Sequence, residues 1–280
     1  MKCLLVYYTG TYNTRYLTGL LKEKLESNGV EVDTYEIDAI NLVKLNYSQY
    51  DLLGIGYPIY GFNVPSRFLK FIRKQDFPKG LKTFIYKNSG ETYKANNASS
   101  ISILKKLKRD KTIVNNEYHF MMPYNIHFRY EDELVKEMLT LDDLLLDVLV
   151  KEVLEDISNI KKYSLINRII TFFVKLQYIG GPINSFFYKV KKDKCINCNK
   201  CIDNCPTKNI FLNKKGEIKF HHDCLMCMRC SLNCPTDAIY IGLLDAWGWR
   251  VNGAYDFDKI SMIQNEKEII NISSIIINDY

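Results

Sequence analysis

"KCLLVYYTGTYNT", residues 2–14, decides how the first half of the chain is read. Lys2 to Tyr8 is an apolar run of the length of a buried strand. Thr9, Gly10, Thr11, Tyr12, Asn13 and Thr14 then end it. From Thr14 to Ser27, Leu17, Leu20, Leu21 and Leu25 fall on one helical face that closes at Gly29. The loop between strand and helix carries three Thr hydroxyls, the Asn13 amide and several backbone N–H groups. They surround the start of a helix, whose dipole favours an anion, so a phosphate can sit there without Lys or Arg. The same residues would also cap a helix that holds nothing.

The rest of the first half weighs toward the phosphate. Four further strand-like runs follow, Val30–Ile37, Asp51–Tyr57, Lys82–Lys87 and Glu117–Met122. They alternate with helix-like stretches at Ser66–Arg73, Ala98–Leu107 and Asp132–Ile160. Alternation of this kind predicts an α/β fold, a doubly wound five-stranded parallel sheet with helices on both faces. Ligands of such sheets bind at the carboxyl ends of the strands. Two more loops leave those ends, Pro58-Ile59-Tyr60-Gly61-Phe62-Asn63 and Asn88-Ser89-Gly90-Glu91-Thr92-Tyr93. Tyr60, Phe62 and Tyr93 offer flat surfaces for a planar ring. Pro58, Gly61, Asn88, Ser89 and Gly90 complete the candidate site.

On these residues the segment from 1 to about 155 resembles the flavodoxins, whose phosphate loop reads Ser/Thr-x-Thr-Gly-x-Thr. Thr9, Thr11, Asn13 and Thr14 match, and Tyr12 stands where the family has Gly. The resemblance implies flavin mononucleotide, FMN, as cofactor. No GxGxxG follows the first strand, which argues against a dinucleotide.

The second half is governed by "CINCNKCIDNCP", residues 195–206, and "CLMCMRCSLNCP", residues 224–235. Each is C-x2-C-x2-C-x3-C-P and resembles the run of bacterial ferredoxins that carry two 4Fe–4S clusters. That resemblance implies that the fourth Cys of each run serves the other cluster. Cluster one would take Cys195, Cys198, Cys201 and Cys234; cluster two would take Cys224, Cys227, Cys230 and Cys205. Zinc is the alternative, but tetrahedral zinc sites do not call for two such sets in this order. The ninth cysteine, Cys3, reads as a small core residue, and His221 and His222 read as neighbours of the second run rather than ligands.

The 280 residues suggest about two domains. We divide the chain into a flavodoxin-like FMN domain at 1–160, a basic amphipathic helical connector at 161–190, a small α+β two-cluster ferredoxin-like domain at 191–245, and a tail at 246–280. The formal net charge is +6, and it resides in the middle, where residues 161–194 hold eight Lys and Arg against one Asp. Neither folded half is basic, so no nucleic-acid partner is expected. Clustered cysteines and no recognisable leader suggest a cytoplasmic protein.

In "KKYSLINRIITFFVKLQY", residues 161–178, Lys161, Ser164, Arg168, Thr171, Lys175 and Tyr178 form one narrow helical stripe. Leu165, Ile166, Ile169, Ile170, Phe172, Phe173, Val174 and Leu176 make a broad apolar face, and Gly180-Gly181-Pro182 is expected to stop the helix. The favoured expectation buries this face between the two halves. A helix lying on an anionic membrane surface is the other reading.

The whole chain is similar to the flavodoxin-domain ferredoxins of anaerobes. The resemblance implies electron transfer between FMN and two 4Fe–4S clusters and on to redox partner proteins. An oxidoreductase acting on a small acceptor such as a quinone, or an electron-delivering subunit of a larger complex, remains open.

Overall fold

The structure is a computed structural model that describes residues 1–37, 40, 42–248 and 253–263. The opening run forms β1 (Lys2–Tyr7), and the helix after the Thr loop is α1 (Asn13–Ser27). β2 (Glu31–Glu36), β3 (Leu52–Pro58), α2 (Ser66–Lys74), β4 (Lys82–Ser89), α3 (Ile101–Arg109), β5 (Ile113–Met121) and α4 (Asp132–Leu154) complete the first half. All four strand pairings are parallel, in the order β2-β1-β3-β4-β5. That is the flavodoxin-like doubly wound order.

The alternation of β1 divides the core into two layers. Cys3, Leu5 and Tyr7 face α1 and α4, packing with Leu17, Leu21, Leu146 and Leu149. Leu4, Val6 and Tyr8 face α2 and α3, packing with Phe68, Phe71, Ile103 and Leu107. Cys3 is therefore a core residue, as its sequence context suggests. Both glycines of β3 serve the same packing: a Cβ on Gly54 would lie 2.6 Å from the Phe84 ring, and one on Gly56 would lie 2.3 Å from the Tyr86 ring.

Three boundaries differ from the sequence reading. β5 starts at Ile113 rather than Glu117, because the turn-like Asn116 is buried and donates to the Glu152 carboxylate and the Ile157 carbonyl. α4 ends at Leu154 rather than Ile160. Asp156 turns the chain with φ 58°, and Asn159 then forms a bridge beside Asn116. The third helix is preceded by a 3-10 turn over Lys94–Ser100.

Residues 161–190 fold as α5 (Leu165–Val174) and α6 (Gln177–Ser185), leading into β6 (Tyr188–Val190). Ser164 caps α5 by accepting from the Asn167 amide at 3.3 Å. Two expectations fail here. Gly180-Gly181-Pro182 does not stop the helix, since α6 runs through all three residues. The broad apolar face is not buried between the halves: Leu165, Phe172 and Leu176 are 69%, 67% and 69% exposed. The polar stripe is divided instead: Thr171 is buried with its carbonyl accepting from Asn63 at 3.1 Å, while Ser164 and Arg168 are exposed.

The rest is a small α+β unit of α7 (Lys200–Asp203), β7 (Ile210–Leu212), β8 (Ile218–Phe220), α8 (Arg229–Leu232) and β9 (Ile239–Ile241). β6 pairs antiparallel with β9, and β7 with β8. Short helices α9 (Leu243–Ala246) and α10 (Phe257–Ser261) follow, and α10 packs Phe257 and Ile260 against Val135 and Leu139 of α4. Of the tail at 246–280, residues 249–252 and 264–280 lie outside the described residues.

Candidate functional site

Tyr12 turns the Thr loop with φ 74° and ψ −8°, the left-handed conformation for which Gly is the usual residue. The side chain costs strain there. Its ring points away from the loop's concave side and lies against the guanidinium groups of Arg15 and Arg229, at 4.7 and 5.0 Å. Behind the turn, Thr14 Oγ1 donates to Asn88 Oδ1 at 2.7 Å, and Asn13 Nδ2 donates to the Pro123 carbonyl at 2.8 Å. These bonds brace the loop against the ends of β4 and β5. Thr11 Oγ1 accepts from Asn125 at 3.1 Å. Thr9 Oγ1 is buried and has no protein partner among the described residues. A buried hydroxyl without a partner is costly, so a loop that holds one beside free N–H groups fits an anion.

The three strand-end loops line one cavity of about 530 Å³. Thr9, Gly10, Thr11, Asn13, Thr14, Pro58, Tyr60, Gly61, Phe62, Asn88, Ser89, Gly90 and Tyr93 all contribute to it; of the candidates, only Tyr12 does not. Sequence reasoning missed Tyr124 and Asn125, on the loop after β5, although the strand-end rule that found the other loops applies there too. It also missed Gln177 and Gly181 of α6, and Met226 and Trp247, because nothing local in the sequence brings them across from the other half. An FMN fits this lining: hydroxyls and amides at the Thr loop, aromatic surfaces at Tyr60, Tyr93 and Tyr124.

The two cysteine runs are structural copies. Residues 29 positions apart share left-handed backbone: Asn197 and Met226 at φ 54° and 52°, Asn199 and Met228 at 57° and 60°, Lys208 and Asp237 at 48° and 53°. Cys205 Sγ accepts from the Asn209 amide and Cys234 Sγ from the Ala238 amide, both at 3.2 Å. None of the nine cysteines is in a disulfide. Cys195, Cys198, Cys201 and Cys234 line one small cavity. Cys224, Cys227, Cys230 and Cys205 neighbour one another closely enough to influence each other's ionisation.

No group of three or more His, Cys, Asp and Glu among the described residues is arranged to hold a single metal ion. The ligands of a 4Fe–4S cluster need no such convergence, since each binds a different iron of a cube. Burial, followed by the Cys227 thiol, pushes the Cys224 thiol up to about 12, and burial pushes Cys201 up to about 11. At Cys234 burial acts upward too, but the amides of Ala238 and Thr236 bring it below its ordinary value. Iron that takes these thiols as thiolates therefore displaces their protons. His221 and His222 stack on Phe211 and Phe186 at 4.0 and 3.6 Å, away from a ligand role.

The second run sits against the flavodoxin-like half. Arg229 donates Nε to the Gly10 carbonyl at 2.5 Å and Nη2 to the Thr9 carbonyl at 2.6 Å. A Cβ on Gly10 would meet Cys227 Cβ at 3.2 Å and Tyr60 Oη at 2.1 Å, so only glycine admits Cys227 this close to the loop. A Cβ on Gly181 would meet the Cys224 carbonyl at 2.5 Å, which explains a glycine inside α6. Arg67 pairs with Asp223, and Gln177 donates to the Tyr60 and Gly61 carbonyls. Cys224, Leu225 and Met226 consequently line the same cavity as Thr9 to Thr14.

Residues 183–239 match the 4Fe-4S dicluster domain family, a span that contains all eight cysteines of the two runs. No curated protein matches the chain. Among solved structures, a flavodoxin of Streptococcus pneumonia TIGR4 is 15% identical, with 56% of this chain and 100% of that one covered at a TM-score of 0.39. A short-chain flavodoxin associated with a non-canonical PDU bacterial microcompartment is also 15% identical over 56% of this chain and 99% of that one, at 0.42. Flavodoxin 2 of Bacillus cereus is 18% identical over the same shares, 56% and 99%, at 0.39. The strand order makes the first half flavodoxin-like, and the family match makes the second an iron–sulfur domain joined to it. That combination supports electron transfer in general. Among the described residues no helix is long and apolar enough to cross a membrane.

Proposed function

We propose that the chain is an electron carrier with one FMN in the strand-end cavity and two 4Fe–4S clusters, one held by Cys224, Cys227, Cys230 and Cys205 and the other by Cys195, Cys198, Cys201 and Cys234. Such a flavin exchanges electrons in ones or twos while a cluster passes them singly, which makes the combination a converter. The observation that carries the reading is the shared wall: Cys224 and Met226 line the cavity that the Thr loop opens onto. The order is then flavin cavity, second-run cluster, first-run cluster, redox partner protein.

Each part of the chain has a task in that order. Thr9, Thr11 and the loop amides would bind the phosphate, and Tyr60, Tyr93 and Tyr124 would offer surfaces to the ring. Arg229 holds the phosphate loop and the second cysteine run at one spacing. Gly10 and Gly181 remove side chains that would push the halves apart. Anaerobically purified protein is expected to hold one FMN and about eight iron and eight sulfide per chain. After photoreduction of the flavin, cluster reduction should follow at a rate independent of protein concentration. A rate that rises with concentration would mean that the electrons pass between molecules, and the relay would be wrong.

A further inference from the structure

We infer that α5 and α6 seat the protein on an anionic lipid surface. Both helices present apolar side chains outward: Leu165, Phe172, Phe173, Leu176, Ile179 and Phe186 are each more than half exposed. Isolated exposed apolar residues are ordinary, but a contiguous patch of this kind marks an interaction surface. The orientation is held from behind by polar bonds. Asn167 donates to the Lys94 carbonyl at 3.1 Å, Tyr178 to the Val64 carbonyl at 2.5 Å, and Asn63 to the Thr171 carbonyl at 3.1 Å. Thr171 and Tyr178 of the polar stripe, with Asn167, thus face the flavodoxin-like half while Arg168 stays exposed, and the apolar face cannot turn inward without breaking these bonds.

Charge selects the occupant. Residues 161–192 contain no Asp or Glu; Lys191, Lys192 and Lys194 pair with Asp237 and Glu217 on the iron–sulfur half, while Lys162 and Arg168 stay exposed beside the apolar face. Lys175 lies near Arg73 of α2 and Lys105 of α3; burial first, and then these two like charges, hold its ammonium below the ordinary value. An apolar face rimmed by cations matches a headgroup layer of anionic lipid, with Phe and Leu entering the boundary and Lys and Arg meeting phosphates. A second copy fits less well, because a two-fold contact across this face would press two basic rims together. Spanning is not the mode, as no described helix is long and apolar enough. Since Gln177, Tyr178 and Gly181 of α6 also line the cavity, docking holds that cavity beside the headgroups.

Flotation of the holoprotein with vesicles tests this. Binding is expected to vesicles of phosphatidylglycerol and phosphatidylcholine, and not to phosphatidylcholine alone. Phe172→Glu with Phe173→Glu should abolish it while flavin and cluster absorbance stay unchanged. Arg168→Gln with Lys175→Gln, which leaves the apolar face intact, should weaken binding about tenfold and flatten its salt dependence. Equal binding to neutral vesicles, or binding that survives the Glu pair, would overturn the inference. So would failure to bind any vesicle, and a concentration-dependent dimer dissolved by the Glu pair would then assign the face to a second copy.

Discussion

The two cysteine runs have the same backbone and opposite surroundings. In the first, Ile196 is 62% exposed, Cys198 is exposed and Lys200 points to solvent. In the second, the equivalent Leu225 packs against the flavodoxin-like core, Cys227 is buried, and Arg229 reaches the Thr loop. Asn197 and Asn199 become Met226 and Met228. A duplicated cysteine motif has been divided into an outward copy and an inward copy by the residues between the cysteines. In the proposed relay the outward run would serve exchange with partners and the inward run exchange with the cavity.

The largest effects should come from the thiols themselves. Cys227→Ser and Cys198→Ser are each expected to reduce iron from about eight to about four per chain. Their consequences should differ. Loss at Cys227 should end electron exchange between flavin and clusters, whereas loss at Cys198 should preserve that exchange and end delivery to an external acceptor. Stopped-flow absorbance with electron paramagnetic resonance separates the two, and identical kinetics in both variants would erase the distinction between inward and outward runs.

Arg229→Ala and Lys200→Ala compare equivalent positions. Arg229 makes two charge-assisted bonds across the halves, so its loss should destabilise the holoprotein by about 2–4 kcal/mol. Lys200 is solvent-exposed and should change stability by less than about 0.5 kcal/mol. Guanidinium unfolding followed by flavin release measures both. Equal effects would mean that Arg229 does not join the halves.

Thr9→Val is milder and concerns the cavity that the inward run faces. It removes a hydroxyl while keeping its shape, and FMN affinity should fall by about 1–3 kcal/mol. Riboflavin, lacking phosphate, should bind the variant and the parent alike. An equal loss for riboflavin would move the Thr9 contribution from the phosphate to the fold.

Much of this was readable beforehand, and the failures have physical causes. β1, β3 and β4 are short apolar runs between turn residues, so their limits were found within two residues. The three loops at their ends followed from the parallel order alone. The loop after β5, residues 123–131, carries no glycine and no Thr cluster to mark it as a ligand loop. The contact between Arg229 and the Thr9 and Gly10 carbonyls joins residues about two hundred positions apart, and only packing brings them together. In 161–178 the periodicity separates the buried Thr171 from the exposed Leu165, Phe172 and Phe173, but Ser164 and Arg168 of the same stripe are exposed too, and the helix breaks between α5 and α6. Periodicity carries no sign, however. The apolar face does not turn inward because Asn167 and Tyr178 donate to the Lys94 and Val64 carbonyls and the Thr171 carbonyl accepts from the Asn63 side chain.

The smallest effect tests whether the inward run also supports the strained turn of the phosphate loop. Tyr12 is left-handed at φ 74°, a conformation that costs a non-glycine residue about 1 kcal/mol. Its ring contacts with Arg15 and Arg229 offset that at about 0.5–1 kcal/mol each. Tyr12→Gly removes strain and both contacts together, and the freer unfolded chain of glycine opposes the gain. The net change should stay within about 1 kcal/mol. In an Arg229→Ala background one contact is already gone, so Tyr12→Gly should there be more favourable by about 0.5–1 kcal/mol. Urea unfolding of the four proteins in this cycle gives the coupling directly. A coupling of zero would show that Arg229 holds the loop through the Thr9 and Gly10 carbonyls alone, leaving the strain at Tyr12 to be offset within the flavodoxin-like half by Arg15.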